Sequence, residues 1–292
     1  PNHLYAFSNH VHLSKDQGRS WETLSPDLTT NDTTKQGPSG GPITKDNTAV
    51  EYYCTIFSAA QSIFDEKVLW TGSDDGLIHI TTDGGASWEN ITPSGLPEFT
   101  QINSMELDPF NEGGLFVAGT SYKWGDFEPY LYHTKDYGKS WRRIDNGIDR
   151  QHFTRVIRTD TEREGLLYAG TEYGLYISFN NGETWQKFQN NLPIVPITDL
   201  RVKDRHLIAG TQGRSIWIVD DLSPLYEIDY TWNKEVYLEL LEDIETACTY
   251  LDSNVVYTGA SNPDKKMLKC WDRAGFSVVK NIGGITVAKK EV

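Results

Sequence analysis

The chain has 292 residues, enough for one large hydrophobic core or a large one beside a small one. Its 41 acidic residues outnumber 27 basic ones, and the formal net charge of -14 repels phosphate backbones and anionic membranes, so neither nucleic acid nor a lipid surface is the expected partner. No apolar run approaches the roughly 18 residues of a membrane helix, and Cys54, Cys248 and Cys270 are too scattered for a disulfide framework or a zinc site. The sequence opens on Pro1, with neither an initiator Met nor a signal peptide, and reads as a fragment or processed product.

In chain order, residues 3–24 close one β unit with "SKDQGRSWETL" from Ser14, and a Gly/Pro-rich excursion occupies 25–50. Residues 52–91 then give "YYCTIFSA", "VLWTGSDDGLIHIT" and "TTDGGASWENI". Residues 101–144 repeat the order as "QINSMELD", "LFVAGT", "YLYHT" and "TKDYGKSWRRI", and residues 153–188 as "RVIRTD", "LLYAGTEYGLYIS" and "SFNNGETWQKF". Residues 197–219 begin another unit. The glycines that close the second strands, Gly72, Gly119, Gly170 and Gly210, recur at spacings of about 40 to 50 residues, the period of propeller blades. Four antiparallel strands per unit predict a mainly β chain whose residues 1–225 hold three complete blades and two partial ones. The remaining blades must come from a longer parent or from another chain.

The first four units carry the pattern Ser/Thr-x-Asp-x-Gly-x-Ser/Thr-Trp, with Asn180 in place of the acid in the fourth, and alternating apolar residues stand on both sides, so it is a hairpin turn. Asp16, Asp83, Asp136 and Asn180 accept backbone N–H groups across the bend, Gly18, Gly85, Gly138 and Gly182 take positive φ, and Trp21, Trp88, Trp141 and Trp185 pack on neighbouring strands. These roles are structural. Each turn offers one or two carboxylates where calcium takes six to eight oxygens, so no metal is expected. No phosphate loop, HExxH or Gly-x-Ser-x-Gly elbow occurs, and no cofactor is expected.

Beyond Pro224 the pattern changes to a small α/β unit, residues 226–292, in the order β-α-β-α-β. Its strands are "YEIDYTW", "NVVYTG" and "SVVKNIGG"; its helices are "EVYLELLEDIETACTYL" and "PDKKMLKCWDRAGF".

In a four-stranded blade the turns between second and third strands share one face with the connections to the next blade, opposite the Asp turns. That face gathers Asp74, Asp75, Tyr122, Trp124, Asp126, Glu128, Glu172, Tyr173 and Arg214, with "SYKWGDFEP" at 121–129 read as a loop longer than a turn requires, beside the long excursion 25–50. Carboxylates beside aromatic platforms suit a protein, peptide or glycan ligand.

The four turns match the Asp-box, or BNR, repeat of sialidases, two-propeller xyloglucan hydrolases and sortilin-like receptors. "GPSGGPITKDNTAVEYYC", "GSDDGLIH" and "GRSIWIVDDLSPL" resemble, more closely, large exported bacterial proteins with sortilin-like propellers, commonly classed with glycosyl hydrolases. The resemblance implies a secreted, periplasmic or cell-surface bacterial protein that binds through its loop face, or else a glycoside hydrolase with paired carboxylates. The sialidase Arg-Ile-Pro signature is absent, as are the cysteine-rich modules of animal sortilins. Residues 255–285 resemble half of a rhodanese domain, with Thr258 where that family carries its nucleophilic Cys, so the tail is expected to be degenerate and without sulfur-transfer activity.

Overall fold

The computed structural model describes residues 3–47, 51–226, 228, 251–252, 255–261, 277–282 and 285–291. Two compact units are present, one made of Pro1–Phe188 with Ile194–Asp220, the other of Gln189–Pro193 with Asp221–Val292.

The larger unit consists of five antiparallel sheets in succession. The first holds β1 (Leu4–Phe7), β2 (Val11–Ser14) and β3 (Glu22–Thr23); the second β4 (Ile56–Gln61), β5 (Leu69–Ser73), β6 (Ile78–Thr81) and β7 (Glu89–Asn90). The third holds β8 (Gln101–Leu107), β9 (Leu115–Ser121), β10 (Asp126–Thr134) and β11 (Arg142–Arg143); the fourth β12 (Thr154–Thr159), β13 (Leu167–Thr171), β14 (Gly174–Ser178) and β15 (Gln186–Lys187). The fifth holds β16 (Ile197–Lys203), β17 (His206–Thr211) and β18 (Ile216–Val219). Three four-stranded sheets therefore lie between two three-stranded ones, the blade pattern the repeat predicts.

Successive sheets stack face to face, and each gap between them is a core layer. Leu24, Ile56, Leu69 and Trp88 fill the first gap, Trp70, Ile91, Ile102 and Trp141 the second, and Phe116, Ile144, Ile157 and Trp185 the third. This is why β5, β9 and β13 are buried along their whole length instead of alternating: both of their faces meet a neighbouring sheet. The first strands lie side by side. Ser58 Oγ donates to the Ile102 carbonyl at 2.8 Å, and Arg158 on β12 donates to Ser104 Oγ (2.7 Å), the Leu200 carbonyl (2.8 Å) and Asp199 (2.8 Å), linking three sheets.

The Asp turns join β2 to β3, β6 to β7, β10 to β11 and β14 to β15, and all four have one geometry. The opening hydroxyl, Ser14, Thr81, Thr134 or Ser178, is buried; it accepts the N–H of Gly18, Gly85, Gly138 or Gly182 at 2.8 to 3.0 Å and donates to the acid or amide two residues on. Asp83 then accepts the Ser87 N–H at 2.9 Å and the Ser87 hydroxyl at 2.6 Å, and Asp16 and Asp136 repeat this with Ser20 and Ser140. Asn180 keeps the pattern by accepting from Thr184 N–H and donating to its hydroxyl. The amides that the carboxylates bind are exposed, so the buried anchor of the turn is the Ser/Thr and not the acid.

The smaller unit contains a four-stranded antiparallel sheet in the order β19 (Leu251–Asp252), β20 (Val255–Ser261), β22 (Ile285–Glu291), β21 (Ser277–Ile282). The expected strands over "NVVYTG" and "SVVKNIGG" are β20 and β21, but each pairs antiparallel with β22, which the sequence reading did not anticipate. Only Gly283 and Gly284 separate β21 from β22, a spacing that suits a hairpin. Thr258 lies in the middle of β20, opposite Ala288, where a rhodanese nucleophile would stand at the mouth of a loop. Apart from Leu251, which begins β19 where the first expected helix would end, both expected helices and most of "YEIDYTW" lie outside the described residues.

Candidate functional site

The face opposite the Asp turns is formed by residues 74–77, 122–125, 172–173 and 212–215, which link second to third strands, and by the connections 24–47, 51–55, 91–100 and 144–153 between sheets. These segments are bound to one another. Thr30 gives both its N–H (2.7 Å) and its hydroxyl (2.6 Å) to Asp75 Oδ2, Thr55 N–H donates to Asp74 Oδ1 (2.8 Å), Lys123 Nζ donates to Gln101 (2.7 Å), and Glu172 N–H donates to the Phe153 carbonyl (3.1 Å).

The adjacent acids Asp74 and Asp75 have different fates. Asp75 is 2 % exposed and ties the 25–50 excursion to the second sheet through Thr30, so it is a buried tether and presents no carboxylate to a ligand. Its Oδ1 and the nearby Tyr53 hydroxyl are buried without a hydrogen-bond partner among the described residues, and burial together with the two carboxylates pushes the Tyr53 phenol up. Asp74 is half-buried. Burial raises its carboxyl to about 6; the Asp75 charge adds to the rise, while the Thr55 N–H and Lys123 oppose it.

A row of aromatic rings follows. Trp124, 55 % exposed, packs on Phe99 at 5.4 Å between centroids, and the Lys35 ammonium lies 4.3 Å from the Phe99 ring centre. Phe99 has φ of 60°, a left-handed conformation that costs a bulky residue about 1–3 kcal/mol and is held by these neighbours. Tyr122 stacks on Phe153 at 5.1 Å, Phe127 leans on the same ring at 6.2 Å, and the Arg155 guanidinium lies 5.2 Å from its centre. Arg155 is paired with Glu172 at 2.6 Å. Next to that pair Tyr173, 49 % exposed, lies 4.8 Å from the His152 ring.

The structure thus gathers Asp74, Tyr122, Trp124, Glu172 and Tyr173 of the expected residues. Three others have different surroundings. Asp126 accepts the Tyr130 hydroxyl (2.6 Å) and the Glu128 N–H (3.0 Å), and Glu128 is ion-paired with Arg143 (3.0 Å). Exposed Arg214 stands on the turn of the fifth sheet, where its carbonyl accepts the Trp217 indole N–H. The expected loop 121–129 is shorter than its sequence suggests: a 3-10 turn covers Tyr122–Trp124, and β10 already begins at Asp126, with a bulge before Tyr130.

Six contributors to the row are not among the residues expected from sequence: Lys35, Phe99, Phe127, His152, Phe153 and Arg155. A signal for two of them exists, since Phe-Thr stands at the start of the first strand of both the third and the fourth sheets, as Phe99-Thr100 just before β8 and Phe153-Thr154 at the first residue of β12. The threonines are buried pins, Thr100 bonding Ser121 (2.7 Å) and Thr154 the Gly119 carbonyl (2.9 Å), and they fix the phenylalanines at the rim.

Succession of sheets, box geometry and strand order together define a run of β-propeller blades closed by Asp-box turns, and the BNR/Asp-box repeat is matched directly over residues 176–187. Among relatives, the chain is 27% identical over 128 residues to a probable oligoxyloglucan-reducing end-specific xyloglucanase of Neosartorya fischeri, covering 40% of this chain and 15% of that protein. It is 29% identical over 188 residues to vacuolar protein sorting/targeting protein 10 of Colletotrichum graminicola, covering 62% of this chain and 12% of that protein. Among solved structures, the GH74 xyloglucanase of Xanthomonas campestris superposes with a TM-score of 0.55 at 16% identity, over 75% of this chain and 34% of that one. An ancestral GH74 enzyme gives 0.53 at 18% identity, over 72% and 26%. These structural likenesses establish the fold. The chain spans only a small part of the relatives it matches.

Proposed function

We propose that the chain is a binding module whose loop face holds an extended ligand, a glycan chain or a peptide, along the row from Trp124 to Tyr173. The observation that carries this is the exposure of both end rings on rigid supports, Trp124 on Phe99 and Tyr173 beside His152, with the Arg155–Glu172 pair between them. Flat rings cover the apolar faces of a sugar or a side chain, and the ion pair supplies donors and acceptors for hydroxyls or amides. The xyloglucanase relative favours a glycan. A location outside the cytoplasm, secreted, periplasmic or on the cell surface, is part of this reading and rests on the resemblance to exported sortilin-like propellers alone.

Hydrolysis is the second reading, and Asp74 is what favours it. A carboxyl raised to about 6 still holds a proton in mildly acidic solution, as a general acid must. Against it, Asp75, Asp126, Glu128 and Glu172 are all committed to neighbouring donors or cations, which leaves Asp74 without an evident partner carboxylate among them. Incubation with xyloglucan oligosaccharides, followed by reducing-end assay, separates the two. Binding alone predicts retention with no new reducing ends, whereas release abolished by Asp74→Asn would establish hydrolysis.

A further inference from the structure

Two positions before the opening hydroxyl of each box, the third strands carry His12, His79, Tyr132 and Tyr176. In the third sheet the Tyr132 hydroxyl donates to the Gly95 carbonyl (2.7 Å) and ties down the connection 91–100 that leads into that sheet. In the fourth sheet the Tyr176 hydroxyl reaches the connection 144–153 in the same way, but its partner is a ring nitrogen, His152 Nδ1 at 2.8 Å. A carbonyl ends such a chain of hydrogen bonds. An imidazole continues it, because what one nitrogen accepts decides what the other presents.

The direction of the bond follows from burial. Tyr176 is buried, and burial pushes its phenol up, so the hydroxyl keeps its proton. That proton needs an acceptor, and His152 Nδ1 is the one within reach among the described residues. The equivalent Tyr132 hydroxyl is a donor too, since a carbonyl can only accept. Nδ1 therefore carries no hydrogen. Burial also holds His152 below the ordinary imidazole range, with Asp149 opposing and Lys187 assisting, so the ring is neutral and its single hydrogen sits on Nε2. Nε2 has no partner among the described residues and is open to solvent. The ring that bears it stands beside Tyr173, 4.8 Å between centroids, and the Tyr173 N–H is itself anchored on the Thr171 hydroxyl (3.1 Å).

We propose that His152 sets the specificity of the loop face at its Tyr173 end: fixed by Tyr176 as the Nε2–H tautomer, it donates to an oxygen of an uncharged sugar. This role rests on the binding function proposed above and narrows its ligand to a glycan. The charged pair at this end, Arg155 with Glu172 at 2.6 Å, is self-compensated, and beside it the site offers an exposed ring and one uncharged N–H. A sugar is the complement of that combination, an apolar face with acceptor oxygens at its edge. Because the tautomer is set before the ligand arrives, the donor needs no rearrangement on binding.

Nitrogen NMR of the imidazoles in the ligand-free full chain reads the tautomer directly, with His152 assigned by the loss of its signals in His152→Gln. His152 should show a pyridine-type Nδ1 and a pyrrole-type Nε2, and Tyr176→Phe, which removes the donor but keeps the ring, should turn this into a mixture of tautomers. Binding is then measured with a panel of neutral oligosaccharides, xyloglucan fragments included, and with acidic and basic peptides as the alternatives. His152→Gln, whose amide restores an N–H near the Nε2 position, should bind the retained oligosaccharide within about twofold of the parent, whereas His152→Leu should lose about fivefold, the worth of one hydrogen bond. A hydrogen on Nδ1 in the free chain, retention of peptides alone, or an oligosaccharide held equally well by His152→Leu overturns the proposal. A parent chain that retains nothing overturns the binding function itself and this role with it; the two failures are distinguishable because the tautomer is measured without ligand.

Discussion

Trp141 donates its indole N–H to the Ile91 carbonyl at 2.7 Å, and Ile91 in turn lies over Gly138 of the box that carries Trp141. One residue at the end of a sheet is thus gripped by hydrogen bond and by packing, and the grip recurs at each of the three gaps between the first four sheets. Trp141→Phe removes the bond and should cost about 1 kcal/mol, while Trp185→Ala, at a fully buried site, should cost about 3–5 kcal/mol. Gly138→Ala should be far worse than Gly18→Ala, because both strain a positive φ but only the former strikes a neighbour. Chemical denaturation midpoints of the variants check all three.

Within a box, the buried hydroxyl should matter more than the acid. Thr81→Val leaves the Gly85 N–H without its acceptor and should cost about 1–3 kcal/mol. Asp83→Asn should be milder, since Asn180 performs the same task in the fourth box. Chelation of calcium should leave the melting temperature unchanged, because the Asp carboxylates are already engaged by Ser and Thr donors.

The box acids also set a pH response. Hydroxyl and N–H donors of Ser20 and Ser87 lower Asp16 and Asp83 to about 2. A folded-state value below the unfolded one means the unfolded chain binds more protons, so this support is present above about pH 4 and is lost as pH falls toward 2. Asp83→Asn should flatten part of the acid limb of a melting-temperature profile.

Asp74 acts in the opposite sense. With its carboxyl raised to about 6, the folded chain binds the extra proton, and stability declines as pH rises from about 4 to 6 and then levels off. Asp74→Asn should raise stability near pH 7 by on the order of 1 kcal/mol, allowing for screening of a half-buried group, and change little at pH 4. Melting curves of the two proteins at pH 4, 5, 6 and 7 test this.

Blade order and box turns were legible because they recur: four copies of one pattern fix the hairpins, and alternation on either side fixes the strands. The loop face was half legible. Trp124 and Tyr173 stand out as large rings in turns, but nothing in "SDDG" tells which acid points inward; the Thr30 tether that buries Asp75 comes from 45 residues earlier. Asp126 and Glu128 look like loop residues until β10 is seen to start at Asp126, with Tyr130 further along the same strand bonded to Asp126 and Arg143 of β11 paired with Glu128. In the tail, local pattern found two strands, but pairing with β22 is a non-local property that periodicity does not carry.

The most direct test is a comparison of two faces on one glycan and peptide array. Trp124→Ala/Tyr173→Ala should fold as the parent does, since both rings are exposed, and should lose at least about tenfold in affinity for whatever the parent retains, the loss of one to two kcal/mol expected of two stacking rings. Arg19→Ala/Glu89→Ala, on the exposed side of the Asp boxes, should bind as the parent does. Loss of the ligand by the box-face variant while the Trp124/Tyr173 variant keeps it would contradict the assignment of binding to the loop face.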